Sequence, residues 1–314
     1  QVICLLHVFI VNPAAGKGKA LQMAEQIKKR FEGFSQPYEI KITQYPGHAT
    51  ILAEEALKAD QPVRIYSVGG DGTLNEIVNG MVGSDISLAV VPGGSGNDFV
   101  RSIGIDPGKK RPSGSYIEKI LLQLLKGRER AIDLARVNGR FFVNIASVGF
   151  DARVVESTMK FKKKPGISGS MAYVLGIISA VWGLKNYNLV LDMDGSEMRS
   201  ATLLAAIANG RYYGGGMMSV PGASIDDGLL SVCHVAGQTR RRVLRLFPRY
   251  MEGSHGSIEG VSFHTCRKIV VSSDEEVPLN IDGELMRTSK AEFEIYPRAI
   301  KVVFPQTFQF ARER

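Results

Sequence analysis

Three glycine-rich turns carry charged side chains of the kinds that phosphate chemistry uses. The first is Gly69-Gly70-Asp71-Gly72-Thr73, set between an apolar run and a helical pattern. Glycines let backbone N–H groups approach phosphate oxygens, and a helix N-terminus offers unpaired amides and a positive dipole end. Asp71 is not there for the phosphates themselves, because like charges repel. A carboxylate in this turn holds Mg²⁺ or accepts a proton from an attacking hydroxyl; the plainer alternative is a helix N-cap. The second turn is Asn12-Pro13-Ala14-Ala15-Gly16-Lys17-Gly18, which lacks the G-x-x-x-x-G-K-[ST] spacing of a P-loop. The third, Pro92-Gly93-Gly94-Ser95-Gly96-Asn97-Asp98-Phe99, puts Asp98 and Arg101 in the first turn of a helix. Turns of this kind at the carboxyl ends of strands in one parallel sheet fit a nucleotide site in the crevice there.

The second half holds two acidic turns, Asp226-Asp227-Gly228 and Asp282-Gly283-Glu284. Each reads either as an ordinary turn between strands or as part of a site. An alcohol has too high a pKa to attack readily, so its phosphorylation needs a carboxylate to take the proton. Mg²⁺ bridging phosphate oxygens needs hard carboxylate ligands, and a cation such as Lys17 or Arg101 suits the charge that develops. The histidines add little: His48 could touch nucleotide at a helix start, and the others show no ligand spacing.

These turns need strands and helices behind them. HVFIVN (7–12), YEIKITQY (38–45), VRIYSVGG (63–70) and SLAVVP (87–92) read as strands. They alternate with helical patterns over 19–31, 49–59, 73–82 and 97–103, the first with Leu21, Ala24, Ile27 and Phe31 on one face. Such alternation implies right-handed crossovers and a mainly parallel, Rossmann-like sheet. A helix over 116–126 follows, and near residue 130 the character changes. Asn138-Gly139 and Gly195 sit between strand-like runs, as hairpin turns with positive φ require. LLSVCHV, RKIVVSS, VPLNID, AEFEIYP and AIKVVFP add short strands, with helices near 169–184 and 239–252. The expected architecture is an α/β nucleotide-binding domain over 1–130 and a mostly antiparallel β-sandwich domain over 131–299. Residues 300–314 are free to pack back on the first.

Bulk composition narrows the partners. The chain has 314 residues, 44% hydrophobic and 22% charged, which suits two globular domains and excludes disorder, collagen and coiled coil. Lys and Arg number 39 against 31 Asp and Glu, a net charge of +8, which favours polyanions. No aromatics interleave with the basic clusters, so no nucleic acid is expected. Cys4, Cys233 and Cys266 lie far apart without a CxxC pattern, which suits a reducing, cytoplasmic setting. The apolar start, Val2 to Val11, reads as a buried strand and not a signal peptide. Met171 to Trp182 reads as a buried helix, short of the ~20 residues a membrane span needs. Basic groups at 109–111, 160–164 and 240–249 read as solvated faces or as attraction to an anionic membrane surface. Edge strands in the second half permit a homodimer.

In their order, GGDGTLNEIVNG and the downstream PGGSGNDF resemble the diacylglycerol kinase catalytic domain shared by bacterial lipid kinases, sphingosine kinases and ceramide kinases. NPAAGKGKA is similar to that family's first nucleotide loop, and IDLARVN, FVNIASVGFDA, ASIDDGLLSV and NIDGE look like landmarks of its bacterial branch. The resemblance spans nearly the whole chain. It implies an ATP site between two domains and γ-phosphoryl transfer to a lipid hydroxyl, most simply diacylglycerol to phosphatidate. By the same resemblance Asn12, Pro13, Ala14, Ala15, Gly16, Thr43, Gly70, Asp71, Gly72, Thr73, Leu74, Asn75 and Glu76 contact ATP. Asp71 and Glu284 are then catalytic, Glu284 as the base. Lys17, Asp98, Arg101 and Asp133 form a charged network, and Ser224, Asp227 and Leu229 hold a structural Mg²⁺. Two departures stand out: the third motif is Gly94-Ser95-Gly96-Asn97-Asp98 rather than GTxND or GGGND, and Ser224 offers a weak side-chain ligand. The competing readings are an NAD kinase, which shares GGDGT, and a nucleotide-binding regulator without turnover.

Overall fold

The computed structural model describes residues 4–107, 114–162, 164, 167 and 169–306. The chain divides into two compact units, Gln1–Leu134 with Pro297–Arg314, and Ala135–Tyr296. Lys109, Lys110, Arg111 and Lys163 of the basic groups lie outside the described residues.

In the first unit β1 (Leu6–Val11), α1 (Lys19–Phe31), β2 (Tyr38–Ile42), α2 (His48–Ala56), β3 (Val63–Gly69), α3 (Asp71–Met81), β4 (Ser87–Pro92), α4 (Asp98–Ser102) and α5 (Gly114–Leu125) follow in order. β1, β3 and β4 are buried along their whole length, as continuous apolar runs in a sheet covered on both faces must be. They pair in parallel in the order β2-β1-β3-β4. The chain steps outward from β1 to β2 and then crosses to β3 on the other side of β1. The strand order therefore reverses between β1 and β3, the kind of switch point beside which open α/β sheets bind ligands. α1 buries Ala20, Met23, Ala24, Ile27 and Phe31. Leu21, expected on that face, is instead exposed, because it sits one residue around the helix from the stripe.

β5 (Arg128–Val137) leads into the second unit. There β6 (Arg140–Phe142), β7 (Ile145–Gly149), α6 (Phe150–Lys162), α7 (Gly169–Trp182), β8 (Tyr187–Met193), β9 (Ser196–Ala208), β10 (Tyr212–Tyr213), β11 (Met217–Met218), β12 (Leu230–Ala236), α8 (Arg240–Glu252), β13 (Val261–Cys266), β14 (Lys268–Ile281) and β15 (Glu284–Phe304) follow. β13, β12, β9, β7, β14 and the first part of β15 pair antiparallel in that order. Asn138-Gly139, Asp194-Gly195 and Asp282-Gly283 all have positive φ, the paired left-handed geometry of tight hairpins. The sheet has a core on each face: Ala205 and Ile207 of β9 enter one apolar cluster, Leu204 and Ala206 the other.

Three features differ from the sequence reading. RKIVVSS and VPLNID are one strand, β14, broken only by an irregularity between Ser272 and Val277. AEFEIYP and AIKVVFP are likewise one strand, β15, whose last part pairs with β4 through Lys301 and Ser87. The stretch Met171–Trp182 is helical but not buried: Met171, Val174, Ile178 and Trp182 are all exposed. Its length is short for a membrane span, which leaves a core helix as the sequence expectation, but packing covers only one side of it.

Candidate active site

In the first unit the loops after β1, β3 and β4 meet backbone to backbone. A side-chain carbon at Gly16 would strike the carbonyl oxygen of Gly93, and one at Gly94 would strike Cα of Gly70. The Gly93 amide donates to the Gly69 carbonyl at 2.8 Å. Glycine is required here by contact, beyond its conformational freedom. Asn12 ties the first loop to α3, its Nδ2 donating to Thr73 Oγ1 at 3.0 Å while its Oδ1 accepts from the Ala14 amide at 3.0 Å. Lys17 lies between Gly16 and Gly18 with φ 61°, a left-handed conformation that costs a β-carbon residue energy and clusters at functional sites. Thr43 is buried, and its amide extends the β1–β2 pairing to Val11.

Asp71 begins α3 but caps a different helix. Its Oδ1 accepts the amides of Asp98 at 2.7 Å and Phe99 at 3.2 Å, at the start of α4. Asn97 cannot cap α4 itself, because its side chain turns back onto Gly94, accepting and donating at 2.9 and 2.8 Å. The other Asp71 oxygen faces the spot above Gly96: a β-carbon there would lie 2.7 Å from Asp71 Oδ2 and 3.4 Å from Asp98 Oδ2. One oxygen of each carboxylate thus borders Gly96. Burial pushes the Asp71 carboxyl above its ordinary pKa, opposed by the amides of Phe99, Asp98 and Asn97. Asp98 is buried with Arg101 Nε 3.8 Å from its Oδ1. A dehydrated acid beside a second acid is unfavourable by itself and favourable around a cation.

The donor chemistry fits Mg²⁺, a hard ion that takes one or two carboxylates and completes its shell with water and phosphate oxygens. Consistent with that partial set, no group of three or more His, Cys, Asp or Glu is preassembled for a metal among the described residues. The remaining assigned positions support the turn. Leu74 is in the core, Asn75 accepts from Asn79 at 2.8 Å through its carbonyl, and Glu76 Oε2 accepts the Ala49 amide of α2 at 3.1 Å. Asp133 is buried and accepts the Arg298 amide at 2.8 Å, where φ is 52°.

In the second unit two hairpins bring Arg140 and Glu284 together. Asn138-Gly139 turns the chain into β6 at Arg140, and Asp282-Gly283 turns it into β15 at Glu284. The guanidinium grips the carboxylate in a fork, Nη1 to Oε2 at 2.5 Å and Nη2 to Oε1 at 2.6 Å. The turn beneath Glu284 is itself pinned: Asp282 accepts the amides of Val143, Asn144 and Ile145 at 2.9, 3.2 and 3.1 Å. Asn280 Oδ1 accepts the Gly283 amide at 2.9 Å, and its side chain also bonds the buried Asp151. Asp151 receives further bonds from the Ser147 hydroxyl, the Ala152 amide at 2.7 Å and Tyr213. In the 223–229 loop the Ser224 hydroxyl donates to Asp226 at 2.7 Å, and Asp227 Oδ1 accepts the Leu229 amide at 3.0 Å.

Sequence reasoning missed Arg140, Asn280 and Asp151. Arg140 carried a weak signal, since it directly follows an Asn-Gly turn; the other two lie in apolar strand and helix patterns that hide a polar contact.

Comparison with known families places the chain among lipid kinases. Residues 7–137 match the model of the diacylglycerol kinase catalytic domain, and residues 144–304 match that of the YegS C-terminal NAD kinase beta sandwich-like domain. The chain belongs to this bacterial lipid kinase family of diacylglycerol kinase and YegS-like proteins. It is 29% identical to the diacylglycerol kinase of Bacillus subtilis strain 168 over 95% of both chains. It is 32% identical to a probable YegS-like lipid kinase of Pseudomonas aeruginosa over 87% of both. A crystal structure of a putative diacylglycerol kinase from Bacillus anthracis shares the fold, with a TM-score of 0.74 at 21% identity, covering 97% of this chain and 96% of that one.

Proposed function

We propose that the chain is an ATP- and Mg²⁺-dependent kinase that transfers the γ-phosphoryl group to the hydroxyl of diacylglycerol, forming phosphatidate. One observation carries this reading: Asp71 and Asp98 each bring a carboxylate oxygen beside Gly96, among three glycine turns at the carboxyl ends of a parallel sheet. That strand order also supports the Rossmann-like description of the first unit.

Asp71 and Asp98 would hold a Mg²⁺, which would supply neutralisation of phosphate charge. Asn12 to Gly16, Thr43 and Gly70 to Glu76 form the nucleotide side, with glycine contacts leaving the backbone open to phosphates. Lys17 and Arg101 stand against the charge on the transferred group. Glu284 takes the proton from the acceptor hydroxyl, and Arg140 fixes the direction in which its carboxylate faces. Asp133 holds Arg298, and a second Mg²⁺ is assigned to Ser224, Asp227 and Leu229. The enzyme works on the cytoplasmic side, from the surface of a membrane.

The relatives named diacylglycerol kinase and YegS-like lipid kinase support a lipid acceptor and leave more than one alcohol open. A labelled-ATP assay over diacylglycerol, monoacylglycerol, sphingoid and polyprenol alcohols in mixed micelles, with mass spectrometry of the product, tests the reading. Labelled phosphatidate is expected. Label on another lipid alcohol moves the acceptor, and label on NAD without lipid refutes the proposal.

A further inference from the structure

α7 contains no charged residue, yet it has two unlike sides. Ala180 and Val181 are buried in an apolar cluster with Tyr173 and Ile177 packed against it. Gly176 lies so close to Thr158 of α6 that any side chain would collide with it. The opposite side carries Met171, Val174, Ile178 and Trp182, which are 52, 54, 54 and 76% exposed. Their spacing of three or four residues makes one continuous stripe along the helix. A helix that packs by one face normally presents polar residues on the other, and a contiguous exposed apolar face marks an interaction surface.

The neighbouring α8 supplies the second observation. Arg240 lies 5.8 Å from the Trp182 ring centroid, so the two helices meet at that end of the stripe. α8 also exposes Leu244, at 62%, together with Arg241, Arg245 and Arg249. Of the α8 arginines only Arg242 has an acidic partner among the described residues, Glu259 at 3.4 Å. An apolar row edged by uncompensated positive charge matches a surface that is anionic outside and apolar just beneath, and tryptophan favours that boundary. No helix among the described residues is long and apolar enough to cross a membrane.

We propose that the outer stripe of α7, with Trp182 at its end and the α8 arginines beside it, inserts into the headgroup–acyl boundary of an anionic bilayer. This deepens the lipid-kinase reading by naming the surface through which the protein reaches its acceptor. It is tested without turnover, so the two fail separately.

Trp182 is the chain's single tryptophan, which makes intrinsic fluorescence a direct reporter. The full chain is titrated with phosphatidylglycerol/phosphatidylcholine vesicles and, in parallel, with pure phosphatidylcholine vesicles, with co-sedimentation alongside. A blue shift and sedimentation with the anionic vesicles are expected, weakening as salt is raised. The Val174→Asp/Ile178→Asp variant should lose at least about tenfold in partitioning, with an unchanged thermal midpoint because both positions face outward. Arg241→Gln and Arg245→Gln should each cost about fivefold on anionic vesicles. Absence of a shift in the wild type, equal binding to neutral vesicles, or full binding by the aspartate variant overturns the proposal. A concentration-dependent blue shift without vesicles, matched by dimer formation in sedimentation velocity, assigns the stripe to a second copy of the chain and also overturns it.

Discussion

Asp71 Oδ1 accepts the amide of Asp98 at 2.7 Å, although the two residues belong to loops that follow different strands. The acid of one glycine turn thereby completes the helix start of another, and its second oxygen, like one oxygen of Asp98, lies beside Gly96. The bond fixes the Asp71 carboxylate against the backbone of α4 before any ligand arrives.

Asp71→Asn and Asp71→Ala separate these two duties. The asparagine keeps an oxygen for the α4 amides and removes the charge, so the metal-free protein should melt higher than wild type. Phosphoryl transfer should fall by at least about a hundredfold. The alanine also loses the cap and should be about 1 kcal/mol less stable than the asparagine variant. Calorimetry and a transfer assay on the three proteins check this ordering.

Burial raises the folded-state pKa of Asp71. A carboxyl shifted in that direction contributes stability that is present below its unfolded pKa and is lost as pH rises through the folded value. The melting advantage of Asp71→Asn over wild type should therefore be small at acid pH and grow toward neutral pH. Mg²⁺ with nucleotide should shrink it, by stabilising only the ionised wild type. A pH-independent difference would mean that Asp71 is not a strained charge.

Arg140 and Glu284 are both partly exposed, so their ion pair should contribute under about 1 kcal/mol to stability. Its value lies in orientation. Arg140→Met should lower kcat while leaving ATP affinity and the thermal midpoint nearly unchanged. Arg140→Lys should restore little, because an ammonium cannot reproduce the two-pronged grip. Wild-type turnover in Arg140→Met would remove the residue from the reaction.

Asn280 is buried and shared between the Gly283 amide and Asp151. Asn280→Ala strands both partners and should cost about 1–3 kcal/mol. Asn280→Asp keeps the acceptor for Gly283 but sets a second carboxylate against Asp151, and should be no better. Denaturant midpoints distinguish these from a neutral substitution.

How much of this was legible beforehand follows from what each pattern encodes. The continuous apolar runs of β1, β3 and β4 and the intervening periodic helices announced the α/β half, because a strand buried on both faces has no polar alternation to disguise it. The Asn138-Gly139 turn was equally plain, since few other residue pairs accept its dihedral angles. The glycine loops point to Asp71 and Asp98, but not to the hydrogen bond from the Asp98 amide to the Asp71 carboxylate, which depends on how β3 and β4 align. The unit boundary at Leu134 and Ala135 falls within a strand, with no proline- or glycine-rich linker, so the change of pattern near residue 130 marks it only to within a few residues. α7 misled for a related reason: apolar periodicity reports that a helix can be covered, not that it is.

The account rests on Asp71 and Glu284 serving one transfer. Its most direct test is the passage of label from γ-labelled ATP to diacylglycerol by wild-type, Asp71→Asn and Glu284→Gln proteins, side by side at matched ATP loading. The wild type should yield labelled phosphatidate, and each variant should lose about a hundredfold or more. Unimpaired transfer by either variant, or no labelled lipid from the wild type over the whole alcohol panel, would contradict it.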